Sequence, residues 1–160
     1  MVQRDDLKQI VMLTYLSDEM LDQLTTIIDI LKFDREEVLF RQNQWADRFY
    51  MMRSGLILLE QKISEDVTAI VGSIKPGYSF GWSAMVEDGT YTVDAVCVEP
   101  SEVLSFKREK INRMMEQNPA MGLILYQRLM VIIKKRLDYR TEQFRQAIMN
   151  HPEMQQLFSE

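Results

Sequence analysis

Between Lys32 and Phe106 the chain is cut into six short apolar runs, each closed by a turn-forming cluster, and no other feature restricts the fold as much. The runs are Val38–Phe40, Phe49–Met52, Leu56–Ile63, Val67–Ile74, Tyr91–Val98 and Val103–Phe106. The breaks are Gln42-Asn43-Gln44, Ser54-Gly55, Ser64-Glu65-Asp66, Lys75-Pro76-Gly77, Glu87-Asp88-Gly89 and Glu99-Pro100-Ser101. Glycine, proline, asparagine and aspartate recur there because they accept the backbone angles of tight turns. Runs this short read as strands, and six of them at near-regular spacing predict an antiparallel sandwich or jelly roll. No charged or low-complexity linker divides the block, so residues 1–160 read as one domain with a β-roll at 32–106.

The flanks follow a helical period instead. From Asp5 to Leu16 the apolar residues Leu7, Ile10, Val11 and Leu13 predict a first helix. Ser17 then offers an N-cap, and Leu21, Leu24, Ile27, Ile28 and Leu31 predict an amphipathic helix to about Ile30, completing a helical segment over 1–31. Beyond the roll, 107–150 carries a short helix at Lys107–Gln117, a break at Asn118-Pro119, and a long helix from Pro119 to about Asn150, which Pro152 helps to end. The fold class is α+β: an antiparallel β-roll or jelly roll with N-terminal helices and a long C-terminal helix.

Along that helix Leu123, Tyr126, Met130, Ile133, Leu137, Phe144 and Ala147 approximate a heptad seam, which Arg140 interrupts. Two short N-terminal helices are too little to cover it. Either the seam packs on the chain's own β-block or it meets a second copy. The second reading predicts a homodimer with Tyr126, Met130, Ile133, Leu137 and Phe144 at the interface. Lys134-Lys135-Arg136, on the same helix, reads as a solvated face.

The bulk chemistry excludes several functions. A net charge of −5 and a pI near 5.0 supply no positive field for nucleic acid or an anionic membrane. The single cysteine, Cys97, excludes an internal disulfide and fits a reducing compartment. No apolar run is long enough to span a bilayer, so a cytoplasmic location is expected. One histidine, His151, and one cysteine cannot assemble a Cys/His zinc site, and no glycine-rich phosphate loop precedes a helix. Neither a metal nor a catalytic residue is assigned, and an enzyme is not expected.

Helices, a β-roll, a short helix and a long one follow in the order of the cyclic-nucleotide-binding domain family, and the residues agree. Gln42-Asn43-Gln44-Trp45-Ala46-Asp47-Arg48-Phe49-Tyr50, followed by Ser54-Gly55, resembles the family's first hairpin. Lys75-Pro76-Gly77-Tyr78-Ser79-Phe80-Gly81 resembles the segment that leads into its phosphate-binding turn. The resemblance covers about Ser17 to Asn150, and it is to the Crp/Fnr-like sensory domain without the helix-turn-helix module. It implies that the cyclic phosphate sits at the turn after Phe80-Gly81, against the backbone N–H groups that open a short helix. It also implies a glutamate beside the glycine for the ribose, an arginine a few residues on for the phosphate, and a polar pair on the long helix for the base.

Here the pattern departs. Trp82 stands at the glutamate position, Gly89 or Thr90 at the arginine position, and Arg140-Thr141 at the polar pair. No arginine lies between Arg53 and Arg108, and Lys75 is the only cation between Lys62 and Lys107. Each lost charge-assisted contact costs about 1.5–3 kcal/mol, so cyclic-nucleotide affinity is expected to be weak. The candidate ligand contacts are Phe80, Gly81, Trp82, Ser83, Ala84, Thr90, Tyr91 and Thr92, with Arg140 and Thr141. Trp82 either fills the pocket or lines its mouth. Ser83 either touches a ligand or caps the short helix, and Thr90 and Thr92 either touch a ligand or are ordinary strand residues.

Two functions follow. One is a regulatory or sensory domain that binds cAMP, cGMP or another anion in the roll and signals through a dimer helix. The other is a ligand-free dimerisation or protein-interaction module. Some relatives bind haem through Cys or His, but Cys97 sits in an expected strand and His151 in the tail, so no resident cofactor is expected. The chain ends at Glu160, soon after the long helix, so DNA binding by this chain alone is not expected; a downstream protein partner is. Whether 160 residues are a whole protein or a fragment stays open.

Overall fold

The computed structural model describes residues 2–158, in two compact units, one up to Leu125 and one from Tyr126 onward. In the first unit, eight strands build two four-stranded antiparallel sheets. One sheet has the order β1 (Ile28–Phe33), β8 (Ser101–Lys107), β3 (Arg48–Ser54), β6 (Ser79–Phe80). The other has the order β2 (Val38–Phe40), β7 (Asp94–Cys97), β4 (Ile57–Lys62), β5 (Thr68–Ile74). Except for the β4–β5 hairpin, neighbouring strands in these orders are not consecutive in sequence, which makes the pair of sheets a jelly roll, as the turn punctuation predicts. Register follows the core. Phe49 pairs directly with Phe106 across β3 and β8, and their rings stack with centroids 4.9 Å apart. Met51, Met52, Ile57 and Leu104 are fully buried beside them.

The N-terminal segment differs from its helical expectation twice. The first helix breaks after α1 (Arg4–Lys8) and resumes only as a 3-10 turn at Val11–Leu13. At the break the Val11 N–H donates to the Gly77 carbonyl at 2.9 Å, so a contact with the roll replaces the next helical hydrogen bond. Helix α2 (Asp18–Thr25) is capped by Ser17, whose hydroxyl accepts from the Met20 N–H at 3.2 Å, but it stops before Ile27. Thr25-Thr26-Ile27-Ile28 is a β-branched run, stiff at χ1 and better suited to a strand. Its far end enters β1, where Ile28 pairs with Phe106 and Phe33 with Ser101. The roll therefore begins at Ile28 and not at Lys32. Two further differences lie near the phosphate turn: β6 is a two-residue strand absent from the sequence reading, and the expected strand over Tyr91–Val98 is regular only at Asp94–Cys97.

Arg4 pairs with Asp18 at 2.9 Å and with Asp22, and Lys8 pairs with Asp18 at 2.8 Å, tying α1 to α2. These ion pairs are exposed and worth little each. The buried face of Leu7, Leu21 and Leu24 holds the helices in place. After the roll comes α3 (Arg108–Gln117), then Asn118, whose side-chain oxygen accepts from the Met121 N–H at 3.2 Å and caps α4 (Pro119–Met149). Pro152 does more than end α4. It opens a further short helix, α5 (Pro152–Phe158).

Candidate functional site

The turn after β6 is built on Gly81, which has φ +71°. A β-carbon there would lie 3.0 Å from Tyr50 Cδ2 and 3.4 Å from Tyr91 Cε1, so both backbone conformation and space require glycine. The chain then winds through a single 3-10 turn, Trp82–Met85, with the Ala84 N–H donating to the Gly81 carbonyl at 3.1 Å. Its cap residue is Gly81, so Ser83 does not cap it. A four-residue 3-10 turn aligns few peptide dipoles and offers an anion less than a full α-helix would.

Beside this turn lies a cavity of about 30 Å³. Phe80, Gly81, Trp82, Ser83, Tyr91 and Thr92 line it, joined by Phe40, Leu59 and Val93, which the sequence reading missed. Ala84 is fully buried outside this lining. Thr90 is exposed and pairs through its backbone with Trp45. Arg140, half-buried, and Thr141, exposed, lie on α4 in the second unit. None of the lining residues carries a charge. A space of this size holds about one water, whereas pockets for small organic ligands run to roughly 300–1,000 Å³.

Aromatic rings take the missing space. Phe40 stacks on Tyr91 with centroids 3.8 Å apart and planes 15° apart. Phe40 also lies 5.6 Å from the Tyr50 ring and 6.1 Å from Phe80, and Tyr50 stacks on Phe80 at 5.3 Å. The Tyr91 hydroxyl is fixed at both ends, donating to the Arg48 carbonyl at 2.6 Å and accepting from the Arg48 N–H at 3.2 Å. Burial pushes the Tyr91 phenol far above its ordinary value, and Tyr50 shifts up for the same reason. Trp82 lines the cavity half-buried; the filling is done by Phe40, Tyr50, Phe80 and Tyr91. Phe40 ends one apolar run and Tyr50 lies within another, Phe49–Met52, all four of whose residues are buried; membership of those runs is the signal that marks them in the sequence.

On α4 the expected seam residues are all exposed: Met130 at 70%, Phe144 at 68%, Leu137 at 63%, Tyr126 at 43% and Ile133 at 37%. Nearby, Lys134 pairs with Asp138 at 2.6 Å, while Arg136 is half-buried and its pKa is lowered by burial and by Arg140. Only part of the basic cluster is thus a solvated face. Cys97 is buried, and burial raises its thiol pKa, which leaves it unreactive. Among the described residues no cluster of His, Cys, Asp or Glu is placed to hold a metal, and no helix is long and apolar enough to cross a membrane.

A jelly roll with a glycine turn between β6 and β7, followed by a short and a long helix, has the architecture of a regulatory ligand-binding module. Residues 30–118, more than half of the chain, match the profile of the cyclic nucleotide-binding domain, and the chain belongs to that family. No curated protein sequence matches it. Among solved structures, a Geobacter metallireducens GS-15 protein described as cyclic-nucleotide-binding is 26% identical, with a TM-score of 0.75 over 86% of this chain and 99% of that one. A cyclic nucleotide-binding domain from Methylobacillus flagellatus KT has a TM-score of 0.82 at 14% identity, over 93% of this chain and 86% of that one. The catabolite activator protein of Thermus thermophilus has a TM-score of 0.72 at 19% identity, over 85% of this chain and 62% of its own.

Proposed function

We propose that this chain is a regulatory domain that has the family's fold, acts as a homodimer through α4, and does not take a cyclic nucleotide into its β-roll. The observation that carries this reading is the 30 Å³ left beside Gly81 once Phe40 and Tyr91 have stacked. A nucleoside cyclic phosphate needs roughly ten times that volume, and the lining offers no cation to its phosphate. The exposed row Tyr126, Met130, Ile133, Leu137 and Phe144 supports the dimer, since large apolar side chains spaced four, three, four and seven residues apart follow the heptad seam of a paired helix. The output is passed to a protein partner, and neither nucleic acid nor membrane is contacted by this chain, which works in the cytoplasm without a resident cofactor. A thermal-shift screen with cAMP and cGMP tests the interior site: a ligand at 100 times its dissociation constant adds about 2.7 kcal/mol, and no such shift is expected. Sedimentation tests the rest, with about twice the 18.9 kDa chain mass expected.

A further inference from the structure

The outer wall of the roll offers more room than its interior. A groove of about 510 Å³ opens between the β2–β3 turn (Arg41, Gln42, Asn43), the β4–β5 hairpin (Lys62, Ile63, Ser64, Glu65) and Asp94 at the start of β7. Its walls are tied across elements. The Gln42 N–H donates to Asp94 Oδ1 at 2.6 Å, the Lys62 N–H donates to Gln42 Oε1 at 3.2 Å, and the Arg41 guanidinium lies 3.6 Å from Asp94 Oδ2. Asn43 sits in the left-handed region, at φ 68°, with its N–H donating to the Tyr91 carbonyl at 2.8 Å.

Against this fixed frame four side chains have no partner among the described residues: Asn43, Lys62, Ser64 and Glu65. In the groove an ammonium and a carboxylate line the same space without pairing with each other. A simple anion satisfies only Lys62, and a simple cation only Glu65. A molecule that carries both charges satisfies both, with the Ser64 hydroxyl and the Asn43 amide available to bond its polar groups.

The groove also shares a wall with the interior. Tyr91, Thr92 and Val93 line the inner cavity, while the segment they belong to is bonded outward through the Tyr91 carbonyl to Asn43, the Tyr91 N–H to the Gln44 carbonyl at 2.9 Å, and Asp94 to Gln42. A ligand in the groove therefore acts on the same four residues that carry the Tyr91 ring.

We propose that this groove binds a small zwitterion of the free amino acid or short peptide class, its carboxylate on Lys62 beside Arg41 and its ammonium on Glu65, and that occupancy is felt by the aromatic cluster through residues 91–94. The site is separate from the roll interior and stands whether or not that interior takes a nucleotide. Its contacts are exposed, so affinity falls in the high micromolar to millimolar range.

The test is an amide-resolved NMR titration of the whole chain with glycine, glutamate, lysine and glycylglycine, and with acetate and methylammonium as half-ligands. Saturable shifts of Asn43, Lys62–Glu65 and Tyr91–Asp94 with at least one zwitterion, and none with a half-ligand, are expected. Lys62→Ala and Glu65→Ala, both at exposed positions, should each weaken binding about tenfold while the remaining spectrum is unchanged. No saturable response to any zwitterion at millimolar concentration, a response to acetate equal to that of glycine, or wild-type affinity in both variants overturns the proposal. Adding cAMP to the same samples reads the interior independently, through the amides of Gly81–Ala84, so a failure of the closed-interior reading is told apart from a failure of the groove.

Discussion

In the roll, the rings of Phe40, Tyr50, Phe80 and Tyr91 converge beside the Gly81 turn and leave a cavity of only about 30 Å³. On α4, large apolar side chains are exposed instead, Met130 and Phe144 foremost among them. The first region buries its hydrophobic surface within the chain, and the second leaves it exposed, the surface on which the proposed dimer rests. A ligand that entered the roll would have to displace tightly packed rings, whereas a partner for α4 meets no such obstacle. The two regions are thus opposite in kind, a self-filled interior and an exposed seam.

The comparison breaks most readily at the rings. Phe40→Ala removes one face of the Tyr91 stack, and truncations of this type cost about 3–5 kcal/mol. Chemical denaturation should show a loss of that order while sedimentation still gives a dimer. Leu137→Glu makes the converse cut: a charge in the seam should weaken the dimer at least a hundredfold, about 2.7 kcal/mol, with the roll's amide spectrum unchanged. If that variant instead unfolds the roll, the seam belongs to the chain's own core. Gly81→Ala forces a side chain into the left-handed region and against Tyr50 and Tyr91, and should cost about 1–2 kcal/mol by the same denaturation measurement.

A pH titration sharpens the roll side. Above the free-phenol value of 10.0 the unfolded tyrosines ionise while Tyr91 and Tyr50 keep their protons. The folded state then binds more protons than the unfolded one, so stability is intact below about pH 10 and falls as pH rises beyond it, by at most about 1.4 kcal/mol per pH unit for each tyrosine. Tyr91→Phe should flatten that decline. The smallest effect is expected at Trp82. Since it lines the cavity without filling it, Trp82→Ala should cost less than half of what Phe40→Ala costs.

Much of this architecture is legible in the sequence, because turn residues and helical period are local signals. The jelly roll, the Ser17 cap, the Asn118-Pro119 junction and the long helix all follow from them. What escaped depends on pairing at a distance. Ile27 and Ile28 fit the amphipathic stripe of α2, and only β8, some 75 residues on, draws Ile28 into β1 through Phe106. Ser79-Phe80 is too short to show any period and is a strand only because Tyr50 and Met51 stand opposite. At the candidate site, the missing glutamate and arginine are visible by inspection. The closure is not, since it needs Phe40, at the end of one run, and Tyr91, at the start of another, to meet 3.8 Å apart. Attention to Trp82, the conspicuous residue of the turn, pointed to the lining and missed the filling.

Calorimetric titration of cAMP and cGMP into the wild-type chain bears most directly on the closed interior. The filled roll predicts no saturable heat from either nucleotide at micromolar concentration. Submicromolar binding at one site per chain, lost in Gly81→Ala, would contradict it and would mean that Phe40 and Tyr91 part to admit the ligand.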